Sequence, residues 1–166
     1  MTKIIFDSDG LIKLVKTGCC QKLFKHFTCS ISKEVYEETV IKGMERLYDD
    51  AFKIEEHVKH NDLTVENVKN NRQAQLILKN RVVGKGEASS LHLFFNTKAR
   101  VIISDDRVFL NLLHNNNIPF VTPVDMIIRL YELKIISKDE AMKALIKIKP
   151  YVNKNSYNNA KANLEV

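Results

Sequence analysis

Val101-Ile102-Ile103-Ser104-Asp105-Asp106-Arg107-Val108-Phe109, set beside Lys3-Ile4-Ile5-Phe6-Asp7-Ser8-Asp9-Gly10-Leu11, decides the fold. Each stretch is a short run of β-branched and aromatic residues that closes on acids and passes straight into an apolar pattern of helical spacing. A short apolar run is by itself ambiguous between strand and buried helix. Brevity, Ile and Val content, and an adjoining helical pattern decide for a buried strand. Strands that alternate with helices form an α/β fold with a parallel sheet. In open sheets of that kind ligands bind beyond the carboxyl ends of the strands, near the point where strand order reverses. The acids stand at those ends.

Working outward, residues 3–6, 100–104 and 119–122 read as strands, and residues 28–31 as a weaker one. Ser8 or Asp9 caps a first helix carrying Leu11, Ile12, Leu14 and Val15. Ser32 starts a second, with Val35, Val40 and Ile41 inward. Residues 43–82 are mostly polar with helical spacing and read as two or three helices. Another helix begins after Gly86, and Asp105 or Asp106 caps the next. Pro123 and Ser137 stand near the starts of two more, positions these residues favour. Residues 151–166, rich in Asn and Lys, read as a terminal helix or a tail. With 166 residues and no linker or repeat, the chain reads as one domain over residues 1–150 followed by that terminal segment.

Composition narrows the function. Apolar residues make up 45% and charged residues 28%, the balance of a soluble globular domain. No run approaches the roughly 20 apolar residues of a membrane span. A strand begins almost at once, which leaves no room for a signal peptide, so a cytoplasmic location is expected. Cys19, Cys20 and Cys29 are odd in number and make neither a disulfide framework nor a zinc site; they read as reduced, partly buried thiols. The five histidines form no ligand pattern, and His57 and His60 read as a solvated pair. The net charge of +6 suits a polyanionic partner such as nucleic acid as well as it suits a lysine-rich surface.

The chemistry lies in Asp7, Glu87, Asp105 and Asp106. Glu87 opens a helix in Gly84-Lys85-Gly86-Glu87-Ala88. Converged carboxylates cannot all stay ionised without a cation between them. Oxygen donors suit Mg2+ or Mn2+, and paired ions suit in-line displacement at a phosphodiester. Each acid also has an ordinary reading, as an N-cap or as a partner of the helix dipole. Capping, however, needs one acid, and both strands end in two.

These residues resemble the PIN-domain family. Ile4-Ile5-Phe6-Asp7-Ser8-Asp9-Gly10-Leu11-Ile12 is similar to its opening strand and helix. Val35-Tyr36-Glu37-Glu38 fits its second acid, with Glu38 preferred over Glu37. Gly86-Glu87-Ala88 fits its third, Ser104-Asp105-Asp106-Arg107 its fourth, and Ile118-Pro119-Phe120-Val121-Thr122-Pro123 its last strand. The resemblance covers roughly residues 1–136. It implies a three-layer α/β/α sandwich with a mostly parallel sheet of four or five strands. It also implies a Mg2+- or Mn2+-dependent endoribonuclease acting on single-stranded RNA. A role as the toxin of a toxin–antitoxin pair, with a cognate antitoxin partner, and a homodimer are further implications. The site would comprise Asp7, Glu38, Glu87, Asp105 and Asp106, with metal on Asp7, Glu87, Asp105 and Asp106, and Ser8, Asp9 and Ser104 in support. Lys13, Lys85 and Arg107 flank it as candidate phosphate contacts. Asp9 departs from the family's usual uncharged residue, and the 43–82 stretch is long for a compact toxin.

Phe6-Asp7-Ser8-Asp9-Gly10-Leu11 also resembles the opening motif of haloacid dehalogenase-type phosphatases, which implies Asp7 as a nucleophile. That family's later acid motif has no counterpart after Asp106, and Glu87 would have no role there. A PIN fold that binds RNA without cleaving it is the third reading.

Overall fold

Ile4, Ile5 and Phe6 are all buried, which places β1 (Lys3–Phe6) inside the sheet, with apolar layers on both faces. The side-chain period of two sends Ile4 and Phe6 into one apolar cluster and Ile5 into the other. In this computed structural model, which describes residues 1–166, β1 is joined by β2 (Thr28–Ser32), β3 (Leu63–Glu66), β4 (Val101–Ile103) and β5 (Phe120–Val121). The five strands lie in the order β3-β2-β1-β4-β5, and every neighbouring pair is parallel.

The connections explain the layers. One face carries α1 (Ser8–Thr17) and α2 (Cys20–His26), then α3 (Lys33–Tyr36) and α4 (Lys42–Glu45), joined through a π-helical segment at Glu37–Ile41, and α5 (Asp49–Lys59). The other carries α6 (Arg72–Leu78), α7 (Lys85–Thr97) and α8 (Arg107–Asn115). The chain then returns to the first face as α9 (Pro123–Glu132), α10 (Lys138–Ile148) and α11 (Lys154–Glu165). From β1 the strands step outward through β2 to β3, then cross back to β4 and β5 on the other side. Right-handed crossovers require the covering helices to change face when the direction changes. The reversal falls between β1 and β4, so the crevice lies beside Phe6–Asp7 and Ile103–Ser104.

The expected strands at residues 3–6, 28–31, 100–104 and 119–122 are present, the last shortened to two residues. The 43–82 stretch is corrected: α5 and α6 lie in it, but β3 runs between them. Only Leu63 of that strand is buried, so an edge strand of four residues shows no apolar run. Its ladder with β2, from Cys29 opposite Leu63 to Ser32 opposite Glu66, is a long-range pairing that local pattern cannot report. Residues 151–166, left between helix and tail, contain α11, whose Tyr157, Ala160 and Leu164 enter the core.

The three cysteines are free and buried, and burial pushes all three thiols up. The thiolate is the reactive form. The native protein at pH 8 is therefore expected to show no fast-reacting thiol toward a disulfide reagent, and full reaction of all three only after unfolding. Rapid labelling of the folded chain would contradict this burial.

Candidate active site

The β1–α1 junction takes a single residue. Asp7 has an extended backbone (φ −85°, ψ 176°), and its Oδ1 accepts from the Gly10 amide at 2.7 Å, which makes it the N-cap of α1. This corrects the expectation that Ser8 or Asp9 caps: both already lie within the helix. Asp7 is 0% exposed. Its Oδ2 accepts from the Ser104 hydroxyl, and Ser104 Oγ in turn accepts from the Asp106 amide at 3.2 Å. One hydroxyl thus ties the ends of β1 and β4 together across the reversal point. Asp106 caps α8 through Oδ1, which accepts from the Phe109 amide at 2.8 Å.

Glu38 arrives from a different direction. It lies in the π-helical segment, an uncommon geometry that is frequent at functional sites, and it accepts a hydrogen bond from Ser8 Oγ. Gly86, in the first turn of α7, fits against both groups: a Cβ there would stand 2.6 Å from Glu38 Oε2 and 3.0 Å from Ser8 Oγ. Glu37 is exposed on the same segment. Glu87 follows Gly86 and is half-buried.

The charges act on one another. Burial, aided by the charges of Asp9 and Glu87, pushes the Asp7 carboxyl from 3.8 up to about 7, against the pull of the Ser104 and Gly10 hydrogen bonds. Burial and the neighbouring Asp106, Glu38 and Asp9 carboxylates raise Glu87. Burial also raises Asp105, although Lys13 opposes it. Lys13 Nζ stands 2.5 Å from Asp105 Oδ2 and 3.0 Å from Asp9 Oδ2. Lys13, expected beside a phosphate, is thus held between two carboxylates. Lys85 and Arg107 are exposed at the first positions of α7 and α8.

Asp7, Ser8, Glu38, Glu87, Ser104 and Asp106 therefore gather at the reversal point, while Asp9, Lys13 and Asp105 form a second group beside them. The donors are all carboxylate and hydroxyl oxygens, the kind that suits a hard divalent cation. No three acidic, His or Cys side chains stand close enough together to clamp an ion as placed. Four of the acids have partners of their own: Gly10 and Ser104 for Asp7, Ser8 for Glu38, Phe109 for Asp106 and Lys13 for Asp105. The donor set fits such a cation in kind.

Two features were not read from the sequence. Gly10 supplies the amide that fixes Asp7, and a Cβ on it would lie 2.5 Å from the Ile103 carbonyl oxygen. Gly86 makes room for Glu38. A glycine three residues after a strand-end acid, and another just before a helix-opening acid, are the available signals. The principal clefts do not take in the acids; the largest, about 500 Å³, lies by the far end of α1 and is lined by Lys16, His57 and Lys147 among others.

A family model described as a PIN domain, DUF3368, matches residues 3–165. The match is to that domain, not to the phosphatase family that Phe6–Leu11 also resembles. No curated protein and no solved structure matches the chain.

Proposed function

This chain belongs to the PIN-domain family, whose fold is of nuclease type, and on that premise we propose that it is a metal-dependent endoribonuclease cleaving single-stranded RNA. The burial of Asp7 among other acids carries the reading. An N-cap contributes about 1 kcal/mol, and Asn or Ser would cap as well. Raising a buried carboxyl from 3.8 to about 7 costs on the order of 4 kcal/mol at neutral pH. Stability alone gives no reason to keep an acid there, whereas a bound cation does.

Asp7, Glu87 and Asp106, with Glu38 beside them, would hold Mg2+ or Mn2+, while Asp105 is engaged by Lys13. When bound, such an ion supplies an activated water at neutral pH and charge stabilisation for the leaving oxygen. The chain does the rest. Gly10 and Ser104 fix both Asp7 oxygens, and Ser8 fixes Glu38. Lys85 and Arg107 offer exposed cations to neighbouring phosphates, which gives backbone affinity without reading bases. The +6 net charge favours a polyanion.

The test is cleavage of a labelled single-stranded RNA with Mn2+ and with excess chelator, beside hydrolysis of a phosphomonoester. Metal-dependent cleavage without phosphomonoester hydrolysis is expected. Phosphomonoester hydrolysis alone would transfer the site to the phosphatase reading, and RNA binding with no cleavage would make the chain a binding module.

A further inference from the structure

We propose that the Lys13 ammonium takes the place of a second divalent ion, so that this site works with one bound metal and one built-in cation. The inference rests on the nuclease reading above and goes beyond it by fixing how many ions the acids hold.

The argument starts from an ordinary helix pair. Lys13 and Asp9 are four residues apart on α1, and such a pair alone contributes a few tenths of a kcal/mol. Lys13 does more than that. It reaches Asp105, at the end of β4 and 92 residues away, at 2.5 Å, with side chains only 17% and 20% exposed. It therefore bridges the start of α1 and the end of β4, across the same reversal point that Asp7 and Ser104 bridge. Asp9 and Asp105 are the two carboxylates that could complete a second ion's shell. Both bond to this ammonium, whose single positive charge offsets one of their two negative charges.

An ammonium has three N–H donors. Asp9 and Asp105 occupy two directions, and the chain supplies no third acceptor. The remaining donor is free for a phosphate oxygen, where a fixed positive charge stabilises the charge that develops. This also gives Asp9 a task. An uncharged residue there would leave Lys13 anchored at one carboxylate only.

The experiment is titration calorimetry of the full chain with Mn2+. The wild type is expected to bind one ion per chain. Lys13→Met is expected to bind two, the second on Asp9 and Asp105 once the ammonium is gone. Lys13→Arg, which keeps the charge, is expected to stay at one. Thermal melts without metal establish that the variants fold. A wild type that binds two ions overturns the proposal while leaving the nuclease reading intact, and this holds even if Lys13→Met does not fold. A folded Lys13→Met that still binds one ion also overturns it. A wild type that binds none overturns both.

Discussion

Asp7→Asn is expected to remove Mn2+-dependent RNA cleavage by about a thousandfold or more, and at the same time to make the metal-free protein more stable. The size of the first effect follows from losing roughly 4 kcal/mol or more of ion-mediated transition-state stabilisation. The second follows from burial. The folded carboxyl titrates at about 7 against 3.8 for its ordinary value, so between those pH values the folded state binds more protons than the unfolded one. Wild-type stability therefore falls as pH rises from about 4 to about 7, and stays lowered above that. The full difference is on the order of 4 kcal/mol. Asn does not titrate, so the variant escapes this cost. It can still accept from the Gly10 amide through its oxygen and donate to Ser104 through its nitrogen.

The stability advantage of Asp7→Asn should accordingly be small near pH 4 and reach about 10 °C in Tm at pH 8, given about 2–4 °C per kcal/mol for a chain of this size. Melts in chelator at both pH values measure it. Added Mn2+ should raise the wild-type Tm and leave the variant unmoved. If Asp7 served only as the cap of α1, cleavage and the response to Mn2+ would be untouched; a variant that melts at the wild-type temperature at every pH would contradict the buried, raised carboxyl.

How much of this was legible depends on where the information is stored. β1 and β4 could be read because their burial on both faces forces unbroken apolar runs, and the acids after them break those runs abruptly. The family likeness followed from the order of those breaks. β3 could not be read, because an edge strand with one buried residue has no local signature and its neighbour β2 is distant in sequence, with Cys29 opposite Leu63. Glu38 was preferred from a motif alone; the π-helical segment that turns it toward Ser8 and Gly86 leaves no mark in hydrophobic spacing. Lys13 was read as a phosphate contact because its helix position is local knowledge, whereas its pairing with Asp105 spans 92 residues. The cap of α1 was misplaced by one or two residues for a related reason. Asp7 looked like the last residue of a strand and is also the first cap of a helix, and the junction has no spare residue to separate the two roles.

That economy makes Gly10 the position with the least tolerance. Gly10→Ala would place a Cβ 2.5 Å from the Ile103 carbonyl oxygen and 2.8 Å from its carbon. Both are backbone atoms of β4 and cannot rotate away as a side chain would. The same Ile103 oxygen accepts the Asp7 amide at 3.2 Å, so relief of the clash pushes α1 from β4 at the point where Asp7 and Ser104 meet. Overpacking of this kind costs about 3 kcal/mol, or about 6–12 °C in Tm. Activity is expected to fall further than stability explains, because a displacement of about 1 Å in a reacting group costs about a hundredfold. Melts and cleavage rates measured well below the variant's Tm separate the two effects. Wild-type stability in Gly10→Ala would mean that β4 and α1 do not approach as closely as the site requires, and with that the shared positioning of Asp7 and Asp106 would fall. A lowered Tm with full cleavage would instead show that the acids keep their places independently of this contact.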